Sequence, residues 1–385
     1  MAEIVVLGGG FAGLWSAVGA ARKLDELGRA DVGVTLVNRD AYHAIRVRNY
    51  ESDLAAIRVR LDDVLGPVGL RRVEGDVAAI DPVGRTVTVT TCGTETLPYD
   101  RLVFALGSQL VRPPVPGLAE HGFDVDTFAG AARLRAHLAT LPERSPVVVV
   151  GAGLTGIEIA TELADRFTVT LADRNPHVGS DMGDAARPVI EQALAALGVA
   201  TRVGVGVTAV TPDGLTLGTG EVIRARAVIW CAGMRANPLT AAFGVPLDPL
   251  GRLPVDEYLR ATGVPGVFAA GDSARAMLDD THASVMSCQH GRPMGRFAGH
   301  NVVCDLLGLP MLPLHIAWYV TVLDLGAWGA VYTEGWDRHV VATGATAKAT
   351  KVTINCQRIY PPTGDRAAIL AAAAPVVQTA PAVRA

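Results

Sequence analysis

Two glycine-rich hexapeptides carry the residue types and spacing best suited to chemistry. The first is Gly8-Gly9-Gly10-Phe11-Ala12-Gly13, and the second is Gly151-Ala152-Gly153-Leu154-Thr155-Gly156. Each reads G-x-G-x-x-G. Each follows a β-branched run (Glu3-Ile4-Val5-Val6-Leu7 and Val147-Val148-Val149-Val150) and precedes a helix-forming stretch. In that setting one glycine makes the tight turn, one lets the backbone approach a pyrophosphate, and one lets helix and strand pack closely. The helix N-terminus then offers free N–H groups to phosphate oxygens. Two such turns imply two dinucleotide sites, most economically a bound flavin and a passing nicotinamide.

An acidic residue about 20 positions after the glycines normally grips the adenosine ribose. Asp173 stands there in the second unit, at the end of a predicted strand Thr168–Ala172. Its carboxylate repels a 2′-phosphate and favours NADH. Arg174 beside it can hold that phosphate, so NADPH stays open. In the first unit the position is Asn38, which can bond a ribose without charge assistance, and Arg39 can stack over the adenine. The plainer reading of Asn38 and Asp173 is a strand-end turn residue. Two later buried runs also end at glycine, Leu102–Gly107 with Ala105, and Val267–Gly271 followed by Asp272. A third, Val228–Gly233, closes the second unit.

These residues need a scaffold. Helices are predicted at about 12–27, 129–141, 154–165 and 184–197. Strands are predicted at 34–37, near Arg72–Val77, and at 86–90, 102–106, 147–150, 168–172, 226–230 and 268–270. From 311 the pattern alternates, predicting strands Ala317–Leu323, Trp328–Tyr332, His339–Ala342 and Lys351–Cys356. The Ala/Pro-rich tail from Thr363 is expected to be mobile, with a weak amphipathic helix interrupted by Pro375 as the alternative.

Composition narrows the class. The chain has 385 residues, enough for two or three domains, with 50% hydrophobic and 5% aromatic residues. A net charge of −4 without a basic block argues against nucleic acid. A strand from residue 3 leaves no room for a signal peptide, and no run of about 18 apolar residues spans a bilayer. A cytoplasmic protein is expected. Cys92, Cys231, Cys288, Cys304 and Cys356 lie far apart, which predicts reduced thiols and no metal site.

The combination resembles flavoproteins with two dinucleotide-binding domains, the pyridine nucleotide-disulfide oxidoreductase superfamily, and within it the type II NADH dehydrogenases. Four stretches carry the closer likeness: Asn38–His43, Gly151–Glu158, Cys231–Pro238, and Cys288-Gln289-His290-Gly291-Arg292-Pro293. The resemblance implies an α/β fold of two Rossmann-like domains and a small C-terminal α+β interface domain. Its expected boundaries are 1–115 with 240–310 for FAD, 116–239 for NAD(H), and 311–385 for the remainder. It implies FAD on Gly8, Gly10, Phe11, Ala12, Gly13, Asn38, Arg39, Val77, Ala105, Gly107, Gly271, Asp272 and Gln289. It implies NADH on Gly151, Gly153, Leu154, Thr155, Gly156, Glu158, Asp173 and Gly233. Gln289 beside the flavin and Glu158 beside the nicotinamide are the catalytic candidates, although Glu158 reads equally as a solvated first-turn acid.

The implied activity is hydride transfer from NADH to flavin and onward to an acceptor, a small molecule or a quinone. Pro293 replaces the second glutamine of the family's A-Q-x-A-x-Q pattern, which puts the quinone site in question, and Leu106 replaces a threonine. No C-x4-C follows the second strand, so disulfide reduction is not expected. Sulfide:quinone reductases carry a cysteine pair flanking the flavin; Cys356 and Cys288 are candidates, but the early cysteine of that pattern is missing. Alternative readings are a soluble reductase of an electron-carrier protein and a slowly cycling flavin sensor. His43, Arg46 and Arg48 can line the flavin or acceptor pocket or sit in a solvated loop. Trp318, Tyr319, Trp328 and Trp336 can cover the flavin, build a homodimer interface, or simply pack. Peripheral membrane contact is left open.

Overall fold

The computed structural model describes residues 2–377. Strand β1 (Ala2–Leu7) runs into helix α1 (Phe11–Glu26), β2 (Val32–Asn38), β3 (Arg71–Glu74) and β4 (Arg101–Phe104). The second unit contains β5 (Gly122–Phe123), β6 (Pro146–Val150), helix α2 (Leu154–Leu163), β7 (Thr168–Ala172), β8 (Ala200–Arg202) and β9 (Ala227–Trp230). The chain then returns with β10 (Val267–Ala269) and the long helix α3 (Cys288–Leu307). Last come β11 (Val320–Asp324), β12 (Ala330–Glu334), β13 (His339–Thr343), α4 (Gly344–Thr353) and α5 (Arg366–Ala372).

Two five-stranded parallel sheets result, ordered β10-β4-β1-β2-β3 and β5-β9-β6-β7-β8. In each, the strand before the glycine turn is central: Val6 pairs with Leu36 and Val103, and Val148 pairs with Thr170 and Val228. Both central strands are buried on both faces, which explains their unbroken β-branched runs. Each sheet anchors its own apolar core.

Helix α3 seals the first unit against α1 through small residues. A Cβ on Gly295 would lie 2.3 Å from the Ala12 carbonyl oxygen, and one on Gly299 would lie 2.2 Å from that of Ser16. Two antiparallel meanders, at 76–98 and 207–224, decorate the sheets. The second was not anticipated: its strands are three to five residues long and the outer two are largely exposed, although Val210, Leu215 and Leu217 bury an apolar face against Val148 and Val150.

The C-terminal part departs from expectation in four places. Ala317–Tyr319 is irregular and β11 starts at Val320, while β12 starts at Ala330 after a short turn of helix at Gly326–Trp328. Lys351–Cys356 is helical, ending α4 and entering a π-turn at Ile354–Arg358. Its alternating pattern mimics a strand, but Ala347 and Lys351, four apart, form the buried face of a helix. The stretch from Thr363 is also ordered through 377. Ile369 and Leu370 are buried, the Asp365 carboxylate caps α5 at Ala368 N, and Arg366 pairs with Asp25 at 2.6 Å. The rest of that expected tail, 378–385, lies outside the described residues. No helix among the described residues is long and apolar enough to cross a membrane.

Candidate active site

The two glycine turns are built alike. Gly8 and Gly151 take φ of 101° and 105°, which an L-side chain rarely adopts. A Cβ on Gly13 would lie 1.8 Å from the Gly8 carbonyl oxygen, and one on Gly156 would lie 1.6 Å from that of Gly151. Gly10 and Gly153 stand at the N-caps of α1 and α2, and no side chain caps either helix. The first N–H groups of both helices are therefore not claimed by a cap, and each terminus carries the partial positive charge that suits a pyrophosphate. The donor set and the close backbone approach fit a dinucleotide at each turn.

Asn38 and Asp173 hold equivalent places. Gly9 N donates to Asn38 Oδ1 at 2.8 Å, and Ala152 N donates to Asp173 Oδ2. Each strand-end side chain thus braces the second residue of its turn. The Asn38 amide nitrogen donates to Asp40 O at 2.9 Å, and Asp173 Oδ1 accepts from Asn175 N at 2.6 Å. Arg39 is exposed beside Asp76, 3.5 Å away. Val77 sits on the first meander, paired with Val89 and packed on the first core.

Around the first turn, Gly271 takes φ of 71°, and a Cβ there would meet Ala12 Cβ at 2.6 Å. Ala105 is buried against the Gly8 turn, while Gly107, with φ of 70°, accepts from Ser273 Oγ and Asn237 N through its carbonyl. Ser108 Oγ donates to Asp272 at 2.5 Å; burial pushes that carboxyl up, and the serine and Arg46 oppose the rise. Arg46 also pairs with Asp126 and donates to Ser108 O at 3.1 Å, tying the first unit to the inter-sheet connection. Arg48 is committed to Glu51 and to Tyr360 OH, the latter at 2.6 Å.

A cavity of about 1690 Å³ opens from the second turn toward α3. Gly151, Gly153, Leu154, Thr155, Asp173 and Gly233 line one end, and Cys288, Gln289, Arg292 and Lys351 line the other. Gly156 packs beneath the turn, outside the lining. The Gln289 amide exchanges two hydrogen bonds with Val320, donating to its O at 2.7 Å and accepting from its N at 3.1 Å. It pins the irregular segment before β11. Trp318 and Tyr319 line the cavity, Trp336 stacks between His282 and Tyr319, and Trp328 packs on the second core.

Glu158 is not a solvated first-turn acid. It is buried, and Lys351 Nζ donates to its Oε1 at 2.6 Å. Burial pushes its carboxyl up, and Lys351 opposes the rise. Asp324 N also donates to Oε1 at 3.2 Å, and Lys351 Nζ donates to Val322 O at 2.9 Å. Asp324 in turn accepts from Lys348 at 2.5 Å and from Tyr50 OH at 3.0 Å. Sequence reasoning missed Lys351, Asp324 and Tyr50. Lys351 is one of only three lysines in the chain, and that scarcity was the one signal available.

His43 and His290 are both fully buried. His43 Nδ1 lies 2.8 Å from Gly9 O, and Val285 N donates to His290 Nδ1 at 2.9 Å. Burial pushes each imidazole down to about 4. An unfolded histidine takes up its proton near pH 6.5, before either native ring does. Stability is therefore full above about pH 6.5 and falls as pH drops toward 4. Each ring contributes about 3 kcal/mol to that loss at about 1.4 kcal/mol per pH unit. Urea midpoints between pH 7 and 4.5 should fall accordingly, and His43→Phe should flatten the slope; an unchanged slope would show that His43 titrates normally.

The chain belongs to the pyridine nucleotide-disulphide oxidoreductase family, whose model matches residues 2–295. It is an NADH-dependent oxidoreductase of the NADH dehydrogenase-like kind. An NADH dehydrogenase-like protein of Mycobacterium tuberculosis is 58% identical, covering 99% of this chain and 100% of that protein. The type II NADH:quinone oxidoreductase NdhA of the same organism is 29% identical over 70% of this chain and 66% of that one. The solved NDH2 of Plasmodium falciparum shares the fold, with a TM-score of 0.77 at 12% identity, covering 96% of this chain and 97% of that one.

Proposed function

We propose that this chain is an FAD-dependent NADH:acceptor oxidoreductase whose acceptor is a quinone. The observation that carries the reading is the cavity between the second glycine turn and α3, with an uncapped helix N-terminus at one end and Gln289 and Lys351 at the other. Residues 1–115 and 240–310 hold the flavin in this reading, 116–239 admit NADH, and residues of the last part, among them Trp318, Tyr319 and Lys351, wall the cavity. Bound FAD would supply a two-electron relay between nicotinamide and acceptor.

The protein's own contribution is binding, alignment and dryness. The α2 N-terminus and the glycines beside it receive the NADH pyrophosphate. Asp173 braces that turn and places a carboxylate where a 2′-phosphate would lie, so NADH is preferred over NADPH. Asp272, the uncapped α1 N-terminus and the Gly8–Gly13 turn hold the FAD. Gln289 fixes the segment that walls the cavity. Lys351 presents its amine at the wall, held by Glu158 and Val322 O, where a reduced acceptor takes up a proton. NdhA, named for quinone, supports the acceptor class.

The test is steady-state NADH oxidation by the flavin-loaded protein with a short-chain naphthoquinone. Turnover should exceed that with NADPH at least tenfold, a difference of about 1.4 kcal/mol. Rapid flavin reduction without quinone turnover would leave the flavin and nicotinamide sites intact and overturn the acceptor.

A further inference from the structure

The cavity has room for two occupants. At about 1690 Å³ it exceeds the roughly 300–1,000 Å³ that encloses one small-molecule ligand. One end meets the second glycine turn. Helix α4 and the π-turn that follows it, Ile354–Arg358, wall the other end.

Asn355 sits on that wall. It is only 5% exposed, and its Nδ2 is buried without an acceptor among the described residues. An amide N–H withdrawn from water and left unpaired costs about 1–3 kcal/mol, and folded proteins leave few such groups. Asn355 follows Lys351 by four residues, which places both on one face of the helix. Both are buried and both line the cavity. The Lys351 amine already serves Glu158 and Val322 O, whereas the Asn355 amide nitrogen still wants an oxygen.

Nothing in the lining supplies that oxygen as a carboxylate. Lys351, Arg292 and Arg358 stand at this end, while the two acids of the lining, Asp173 and Asp181, stand at the second turn. Val47, Val322, Ile354 and Ile359 fill the wall between the donors. Apolar side chains with a few fixed donors suit a flat ring that carries carbonyl oxygens. A quinone carbonyl and the nicotinamide carboxamide both have that chemistry. The shared helix face with Lys351, the amine assigned to the acceptor, favours the quinone.

We propose that Asn355 donates a hydrogen bond to a carbonyl oxygen of the acceptor and so selects carbonyl-bearing acceptors. The proposal rests on the quinone reading above and adds a specificity-determining residue to it. Asn355 transfers no proton; it orients the oxygen. The bond strengthens as that oxygen gains negative charge on reduction.

The experiment compares flavin-loaded wild type with Asn355→Leu, Asn355→Asp and Asn355→Gln. Each protein is assayed for anaerobic flavin reduction by NADH, for turnover with a short-chain naphthoquinone, and for turnover with ferricyanide, which has no carbonyl oxygen. Asn355→Leu should raise the naphthoquinone KM and lower kcat/KM about tenfold, the upper range for one hydrogen bond. Its flavin reduction and ferricyanide turnover should stay within about twofold of wild type, and it should melt no lower, because an unpaired buried amide has gone. Asn355→Asp should lose at least as much, since a carboxylate would face the carbonyl oxygen. Asn355→Gln keeps the amide and should retain more than either. A naphthoquinone kcat/KM unchanged in both Asn355→Leu and Asn355→Asp overturns the proposal and leaves the amide to a bound water. Slowed flavin reduction with an unchanged naphthoquinone KM also overturns it and assigns the amide to the nicotinamide. Equal losses with naphthoquinone and ferricyanide would make the residue structural, which overturns it too. A wild type that NADH reduces but naphthoquinone never reoxidises would instead refute the acceptor reading itself.

Discussion

Gly156→Ala should abolish flavin reduction by NADH while leaving the flavin bound. The added Cβ would sit 1.6 Å from the Gly151 carbonyl oxygen, a backbone atom that no rotamer change can move. Helix α2 must then retreat from β6, and the N–H groups at its N-terminus leave the pyrophosphate position. The loss should be at least a hundredfold in reduction rate at fixed NADH, about 3 kcal/mol. Gly13→Ala makes the matching clash, 1.8 Å from Gly8 O, in the first unit. It should cost flavin content instead. Anaerobic stopped-flow and absorbance of the purified variants separate the two effects. If Gly156→Ala reduces at the wild-type rate, the second turn does not hold the nicotinamide nucleotide.

The buried pair Glu158–Lys351 should give the other large effect. Lys351→Met leaves a carboxylate in a dry site with only the Asp324 N–H for support. Removing one partner of such a pair costs about 3–5 kcal/mol. Glu158→Leu combined with Lys351→Met should recover most of that stability, since a well-packed apolar pair avoids burying charge at all. Quinone turnover should not recover, because the double variant has no amine at the cavity wall. Urea unfolding and turnover measured on the three proteins test both halves. Recovery of turnover in the double variant would make the pair purely structural.

The residues visible in the sequence are those whose roles are local. The glycine turns announce themselves through six consecutive positions, and strand β6 announces its burial through four valines in a row. Asn38 and Asp173 were found by their distance from the turns. The sequence gives no hint that both amide and carboxylate face back onto the turn N–H. Lys351 was hidden because its partner is 193 residues away and its own neighbourhood alternates like a strand. Only the contact with Glu158 and the β11–β12 sheet selects the helix. The docked helix α5 was only the second reading of its segment because its composition resembles a loose tail, while two side chains, Ile369 and Leu370, are buried on the first core.

The central claim is that one dinucleotide stays on the first turn while a second visits the other. Anaerobic titration of the freshly purified protein with NADH tests it most directly. The account predicts a yellow protein whose flavin band bleaches with one equivalent of NADH per flavin. A protein that is colourless, and remains so after incubation with excess FAD, would contradict it.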